Sequence, residues 1–232
     1  MNYYAEISPF YDDITRGGYY NYSRICFEFM KLIKGKKILE IGMGTGTLTK
    51  LLSKKGFEIT GIDCSKALLD KARKKLKNTK VKIIQKNILK FKSKERFDSV
   101  ISQASIFVVI DSKEGHVVES FVTNKKDIYK SLKNIYLQLK KGGQFIFDFY
   151  PEHDPSKRFF SFGKYRYEFE IKQKNGMWDF VKVHHIKKGK KIIATSKVHK
   201  IRLPVGKFKK IAKKVGFAKI QVRLRKYLVL EK

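Results

Sequence analysis

The sequence predicts an α/β fold: an open, largely parallel sheet with helices on both faces, and a small antiparallel sheet inserted late in the chain. Three observations predict it. Residues 37–63 read as strand, glycine-rich turn, helix, strand, acid. Apolar runs then alternate with amphipathic stretches up to residue 150, the pattern of βα units wound onto a parallel sheet. Finally, three runs of alternating polarity fall between residues 162 and 203, with turn signals between them, as antiparallel hairpins require.

Residues 1–18 are rich in Tyr, Asp and Gly and fit no single period. A helix is expected from Tyr19 to Ile33, with Ile25, Phe29 and Leu32 near one face. Lys37 to Ile41 is a short apolar run, as in a strand buried on both faces. Gly42, Gly44 and Gly46 follow at every second position. Glycines there let the backbone turn sharply and lie close against a ligand. Thr47 to Lys55 suits a helix whose N-terminus faces that ligand. Asp63 ends the second strand beside the same crevice, where an acid can accept hydrogen bonds from the two hydroxyls of a ribose.

The spacing separates two readings of the turn. A dinucleotide-binding turn has G-x-G-x-x-G. This chain has Glu40-x-Gly42-x-Gly44-x-Gly46, with the acid inside the strand end. That motif, with Asp63, resembles the first motif of the class I S-adenosylmethionine-dependent methyltransferases. The resemblance implies a Rossmann-like seven-stranded methyltransferase sheet and S-adenosylmethionine as cofactor. It implies that Glu40, Gly42, Gly44, Gly46, Asp63 and Cys64 lie at the cofactor, with the turn against its aminoacyl part.

Further along, Ser65 is a good N-cap for a helix from Lys66 to Leu76. Val81 to Gln85 is the third strand. Asn87 and Ile88 follow, where the family commonly has an acid that meets the adenine amino group; Asn can accept from that group, or serve only as a turn residue. Phe97 to Gln103 is the fourth strand, similar to the F-D-x-V pattern of the family. Its end places Gln103, Ala104 and Ser105 near the transferable methyl. The [DNS]-P-P-[YFW] element of amino-type and adenine-type nucleic-acid methyltransferases is replaced by Ser102-Gln103-Ala104-Ser105, which argues against an exocyclic base nitrogen as acceptor. Thr123 to Leu139 is a helix capped by Asn124 or Thr123, ended by Lys141-Gly142-Gly143. Gln144 to Tyr150 is the fifth strand.

Two segments depart from the minimal fold. In related methyltransferases the N-terminal segment lies over the cofactor. Phe10-Tyr11-Asp12 resembles the aromatic-Tyr-Asp element found there, so Tyr11, Tyr19 and Arg24 are expected to reach the ligand. Pro151 to Pro155 reads as a loop. The runs Phe162 to Ile171, Met177 to Ile186 and Lys191 to Leu203 follow, with Asn175-Gly176 and Lys188-Gly189-Lys190 as hairpin turns. With the helix Val205 to Val215, this is similar to the amino-sugar and glycine-type N-methyltransferase branch, where an inserted sheet covers the acceptor. On that resemblance Tyr165, Tyr167, Trp178, Arg202 and Ser105 are substrate candidates. His199, His184 and Tyr11 are catalytic candidates, His199 and Arg202 matching a His-x-x-Arg of that branch. The aromatics could equally be the core of the small sheet. Lys219 to Leu230 supplies one strand or two.

The expected organisation is one domain over 1–232: a lid segment at 1–34, a cofactor-binding core at 35–150, the inserted sheet at 151–203, and the last helix and strand or strands at 204–232. Hydrophobic residues make up 42%, enough for a full core. No apolar run approaches the ~20 residues of a membrane span, and the N-terminus has no signal pattern. The two cysteines, Cys26 and Cys64, lack metal-ligand or redox spacing, so a reduced cytosolic (cytoplasmic) protein is the simplest reading. No cluster of acids or histidines has metal-ligand spacing, so no metal is expected.

The formal charge is +32, with 53 Lys plus Arg against 21 acids. An anionic partner is one explanation. AT-rich codon bias is the other and is favoured: 44 of the 53 are Lys, and they are scattered. Nucleic-acid readers favour Arg. The expected function is methyl transfer to a small-molecule acceptor, N-methylation of an amine in specialised metabolism first. O-methylation of a hydroxyl or phenol, and an RNA methyltransferase using the basic surface, are the alternatives. A homodimer through the inserted sheet is left open.

Overall fold

The computed structural model describes residues 4–112, 115–150, 159–174 and 178–232. The side chains of Gly18, Tyr19, Ser112 and Tyr150 are likewise outside the description. The Pro151–Pro155 loop and the Asn175-Gly176 turn therefore lie outside the described residues.

The parallel core forms as the apolar runs require. β1 (Lys37–Ile41), β2 (Glu58–Asp63), β3 (Lys82–Gln85) and β4 (Phe97–Ser102) are joined in parallel to β7 (Leu139–Tyr150) in the order β3-β2-β1-β4-β7. Beyond β7 lie β13 (Tyr227–Glu231) and then β12 (Lys219–Arg223); β13 runs antiparallel to both neighbours. Seven strands thus make a Rossmann-like sheet with a reversed last strand. The question of one terminal strand or two is settled at Leu224 and Arg225. Both adopt left-handed φ, 51° and 54°, as a tight primed hairpin turn needs.

Helices cover both faces. α2 (Tyr22–Leu32) starts at Asn21, whose side chain accepts from the Arg24 N–H at 3.0 Å. It packs with α3 (Thr47–Lys54) on one face, burying Phe29, Leu48 and Leu52 against Ile38, Ile101 and Ile146. α4 (Lys66–Leu76) is capped by Ser65, and α5 (Lys125–Gln138) by Asn124, which accepts from Asp127 N–H at 2.8 Å. α5 and α6 (Val205–Val215) lie on the other face over Phe145, Phe147 and Phe107.

The antiparallel sheet is larger than the sequence pattern indicated. It has six strands, in the order β5-β6-β11-β10-β9-β8: β5 (Phe107–Ser112), β6 (Gly115–Ser120), β11 (Lys191–Pro204), β10 (Asp179–Lys188), β9 (Tyr165–Gln173) and β8 (Phe159–Phe162). The β5–β6 hairpin comes from the segment after β4, of which the sequence alone marks only the apolar run Ile106 to Ile110. Val108, Val109, Val117 and Val118 are all buried. With both faces covered, the polar alternation that marks a strand is missing. β5 pairs in parallel with the end of β7, at Val109 with Phe149 and Ile110 with Tyr150. The two sheets are therefore one hydrogen-bonded surface, joined at β7.

The N-terminal segment coils through Ser8–Phe10, α1 (Tyr11–Ile14) and a wide turn at Thr15–Tyr19. Its apolar side chains Ile7 and Ile14 pack onto Tyr167, Phe169, Ile186 and Ala194 of the antiparallel sheet. It bridges the two sheets across the ends of β1, β2 and β4.

Candidate cofactor and acceptor site

The glycine turn is positioned from below by the strands. Gly42 and Met43 donate their N–H groups to Ile62 O at 2.8 and 3.1 Å, tying the turn to β2. Gly42, Gly44 and Gly46 have φ of 71°, 55° and 74°, the left-handed region open to glycine. A Cβ on Gly42 would stand 1.7 Å from Ser105 Oγ, so the turn after β1 and the loop after β4 meet there. Gly44 faces Tyr11, whose ring is 3.5 Å from where a Cβ would be. Gly46 has a different task from the one expected: its Cβ would meet Leu76 and Ala72 of α4, so it packs turn against helix rather than facing a ligand.

Above the turn a cavity of about 300 Å³ opens between the strand ends, within the range of small-molecule sites. Asp63, Cys64, Asn87, Ile88, Gln103 and Ser105 line it, with Tyr4 and Tyr11 from the N-terminal segment and Phe121 from beyond β6. Asp63 Oδ2 accepts from Gly44 N–H at 2.9 Å and Oδ1 from Ser65 N–H at 2.8 Å. Burial raises its carboxyl above the ordinary Asp value, against those backbone donors. Each oxygen retains a second acceptor lone pair, so the group fits two ligand hydroxyls. Ile88, Leu68 and Ile106 give the cavity apolar walls. Asn87 lines it too, but its side-chain oxygen accepts from Leu89 N–H at 2.9 Å and closes a turn. The residues present thus fit the ribose and adenine of a nucleoside cofactor.

Glu40 sits beneath the turn, 3% exposed, and accepts from the Thr49 hydroxyl at 2.6 Å. Burial pushes its carboxyl up to about 7. The folded state therefore holds this proton more tightly than the unfolded chain. The associated stability is full below the unfolded value and is lost as pH rises towards about 7. Glu40→Gln keeps the acceptor for Thr49 and removes the ionisation. It should raise stability by about 3 kcal/mol near pH 8 and by little near pH 4, read from urea unfolding at the two pH values.

The N-terminal segment is latched to the turn. The Thr45 hydroxyl donates to Asp12 Oδ1 at 2.5 Å, and Lys75 Nζ donates to Asp12 Oδ1 at 3.0 Å and to Thr47 Oγ1 at 2.7 Å. The Lys75 and Thr45 contacts hold the Asp12 carboxyl below its ordinary value against its own desolvation. This places Tyr11 over Gly44 and Tyr4 edge-on to Tyr11, ring centroids 5.5 Å apart.

Several expected site residues lie elsewhere. Arg24 is exposed and pairs with Glu28 at 3.0 Å. Tyr165 and Tyr167 belong to the apolar layer between N-terminal segment and sheet, Tyr165 5.0 Å from the Phe10 ring. Trp178 is 38% exposed, just ahead of β10, where its carbonyl accepts from Arg202 N–H at 2.8 Å. His199 pairs with Asp179, and it is on the opposite face of β11 from Arg202 because they are three positions apart on one strand. Arg202 donates from Nη2 to Glu119 Oε1 at 2.8 Å instead. The side chain of Tyr19 is outside the description. His184 does reach the neighbourhood. It is buried, its Nδ1 is 2.6 Å from Tyr167 Oη, and its ring is 6.1 Å from Tyr4, which lines the cavity. Burial first, then Lys182 and Lys200, push its imidazole well below 6.5, so it is neutral.

Asp148 has no counterpart in the sequence reading. It is 1% exposed on β7 and accepts the N–H of Ala104, while Oδ1 has no hydrogen-bond partner among the described residues. Burial pushes its carboxyl well up. The bond holds Ala104 at a left-handed φ of 48° between Gln103 and Ser105, a strained conformation for a non-glycine residue. An acid inside the run Phe147-Asp148-Phe149 was the signal available.

Comparison with known proteins agrees with this geometry. Residues 38–143 match the family described as "Methyltransferase domain". The chain is 26% identical over 147 residues to a putative methyltransferase, YqeM, of Bacillus subtilis, covering 62% of this chain and 54% of that protein. It is 33% identical over 112 residues to a malonyl-[acyl-carrier protein] O-methyltransferase of Priestia megaterium, covering 47% of this chain and 35% of that protein. The chain thus spans about half, or less, of the curated relatives it matches. Among solved structures it is similar to SAM-bound CalS10 of Micromonospora echinaspora, an amino pentose methyltransferase involved in calicheamicin biosynthesis. The TM-score is 0.70 at 14% identity, covering 95% of each chain. At that identity the likeness is one of fold.

Proposed function

We propose that the chain transfers the methyl group of S-adenosylmethionine to a small-molecule acceptor, and that the acceptor atom is an amine nitrogen. The observation that carries this reading is the single cavity bounded by Asp63 and the glycine turn on one side and by Tyr4, Tyr11 and Phe121 on the other. Asp63 holds the ribose hydroxyls; Ile88 and Leu68 flank the adenine; Gly42 and Gly44 lie along the aminoacyl end. When bound, the cofactor supplies an activated methyl on a sulfonium. The chain's own residues bring the acceptor in line with it and exclude water, which is most of what such a transfer needs. The N-terminal segment closes the site by its Asp12–Lys75 latch. Tyr4, Tyr11 and Phe121 offer aromatic faces to a methylated ammonium product. The amino pentose specificity of a protein with the same fold supports the amine reading.

A hydroxyl acceptor is the second reading, favoured by one observation. His184 is neutral and buried, its Nε2 has no hydrogen-bond partner among the described residues, and its ring lies beside that of cavity-lining Tyr4, so it is the nearby base that would take the proton a hydroxyl must lose. Labelled-methyl transfer from S-adenosylmethionine, screened over aminated and hydroxylated metabolites and RNA, separates the readings. Label in an amine is the expected result. Label in RNA alone would overturn the small-molecule assignment. Label in hydroxyls alone, lost with His184→Ala, would select the second.

A further inference from the structure

An acid of β7 lies in an apolar layer. Asp148 shares a face of the strand with Ile146, and Tyr227 of β13 is opposite it in the register. Ile146 and Tyr227 pack with Phe29 of α2 and Ile101 of β4. A polar group buried in such a layer is costly unless it is hydrogen-bonded. Asp148 accepts the N–H of Ala104, in the loop after β4.

That loop is part of the site. Gln103, Ala104 and Ser105 line the 300 Å³ cavity. Gln103 and Ala104 also line a hollow of about 30 Å³ beside the glycine turn, together with Glu40, Gly42 and Gly44. Ser105 Oγ stands 1.7 Å from where a Cβ on Gly42 would be, so its position is set against the turn. Ala104 holds its left-handed φ of 48° at a cost of about 1–2 kcal/mol for an L-residue. Relaxation to negative φ would rotate the peptide planes on either side and carry Gln103 and Ser105 out of these positions. A chain of contacts therefore runs from Asp148 to the Ala104 amide, to Ser105 and to Gly42.

We infer that Asp148 is a positioning residue for the aminoacyl end of the cofactor site: by holding the Ala104 amide it keeps Ser105 against Gly42 and Gln103 at the cavity wall. The inference rests on the reading that this cavity takes S-adenosylmethionine with the glycine turn along its aminoacyl end. The role needs an acceptor oxygen, not a charge. Burial favours the neutral form of the carboxyl, so asparagine is a close substitute.

Two readouts test it. Calorimetry with S-adenosylhomocysteine reports on the site, and amide hydrogen exchange at Ala104 in the ligand-free protein, followed by NMR, reports on the loop. Asp148→Ala leaves a void in the layer and can fail through folding alone. Asp148→Leu fills the space, suits its apolar neighbours and lacks the acceptor. It should melt close to the unaltered chain, yet bind S-adenosylhomocysteine about ten-fold more weakly and exchange at Ala104 about ten-fold faster. Asp148→Asn should restore both values. Glycine adopts positive φ freely, so Ala104→Gly added to Asp148→Leu should recover most of the lost affinity. Unchanged affinity in Asp148→Leu, no restoration by Asp148→Asn, or no recovery with Ala104→Gly would overturn the positioning role. If the unaltered chain binds no S-adenosylhomocysteine, the cofactor reading falls. Exchange at Ala104 then still decides whether Asp148 holds the loop: faster exchange in Asp148→Leu supports it, and unchanged exchange overturns it.

Discussion

Asp63→Ala is expected to bind S-adenosylmethionine about a hundred-fold more weakly than the unaltered chain, a loss of about 2.7 kcal/mol. Hydrogen bonds to a charged group are worth about 1.5–3 kcal/mol each, and the Asp63 carboxylate would serve two ribose hydroxyls. It also fixes the site before any ligand arrives, through the N–H groups of Gly44 and Ser65. Alanine leaves both donors without their acceptor and frees the turn. Titration calorimetry at neutral pH measures the change. Equal affinities would remove Asp63 from the cofactor site. Because burial raises the Asp63 carboxyl and the ligand needs it ionised, affinity should also fall as pH is lowered through the acidic range, and that slope should vanish in the alanine variant.

Glu119→Ala should destabilise the fold by about 3–5 kcal/mol, the range for breaking a buried charge pair. The Glu119 carboxyl is pulled down to about 2 by Lys200 and Arg202, in spite of its own desolvation. A depressed acid contributes stability that is present above its unfolded value, near 4.5, and is lost as pH falls towards about 2. The variant should therefore be weak at neutral pH and converge with the unaltered chain near pH 2. Denaturant unfolding across that range measures it; a loss under about 1 kcal/mol at neutral pH would mean that the cluster is solvated. Glu119→Gln, which keeps the acceptor oxygen but not the charge, should fall between the two.

The parallel core was legible because its signals are local. Ile38, Leu39 and Ile41 on a buried strand, glycines where φ is positive, and Ser65 and Asn124 at helix starts all act within a few residues. The direction of longer-range faces was not. Tyr165 and Tyr167 have the right spacing to share a face, and they do, but that face is filled by Ile7, Phe10 and Ile14. No periodicity in β9 encodes what will cover it. His199 and Arg202 show the limit of a motif read as adjacency, since three residues along a strand reverse the side. The β5–β6 hairpin was hidden by burial of both its faces. Glu119, Lys182 and Lys200 were missed for a compositional reason. In a chain with 44 lysines, one more in a strand stands out only when its burial is known.

The length of β7 bears on how anything enters. A single strand carries β4 and β13 along its first part and β5 at its tip. Floor and roof of the chamber are therefore rungs of one ladder. The stretch ahead of α2 is different. Among the described residues, no ladder hydrogen bonds join it to either sheet. It is kept in place by side-chain contacts, at Thr45 and Lys75 on the floor and at the aromatic layer on the roof. We propose that ligands reach this chamber by release of that strap, since the two sheets are joined through β7.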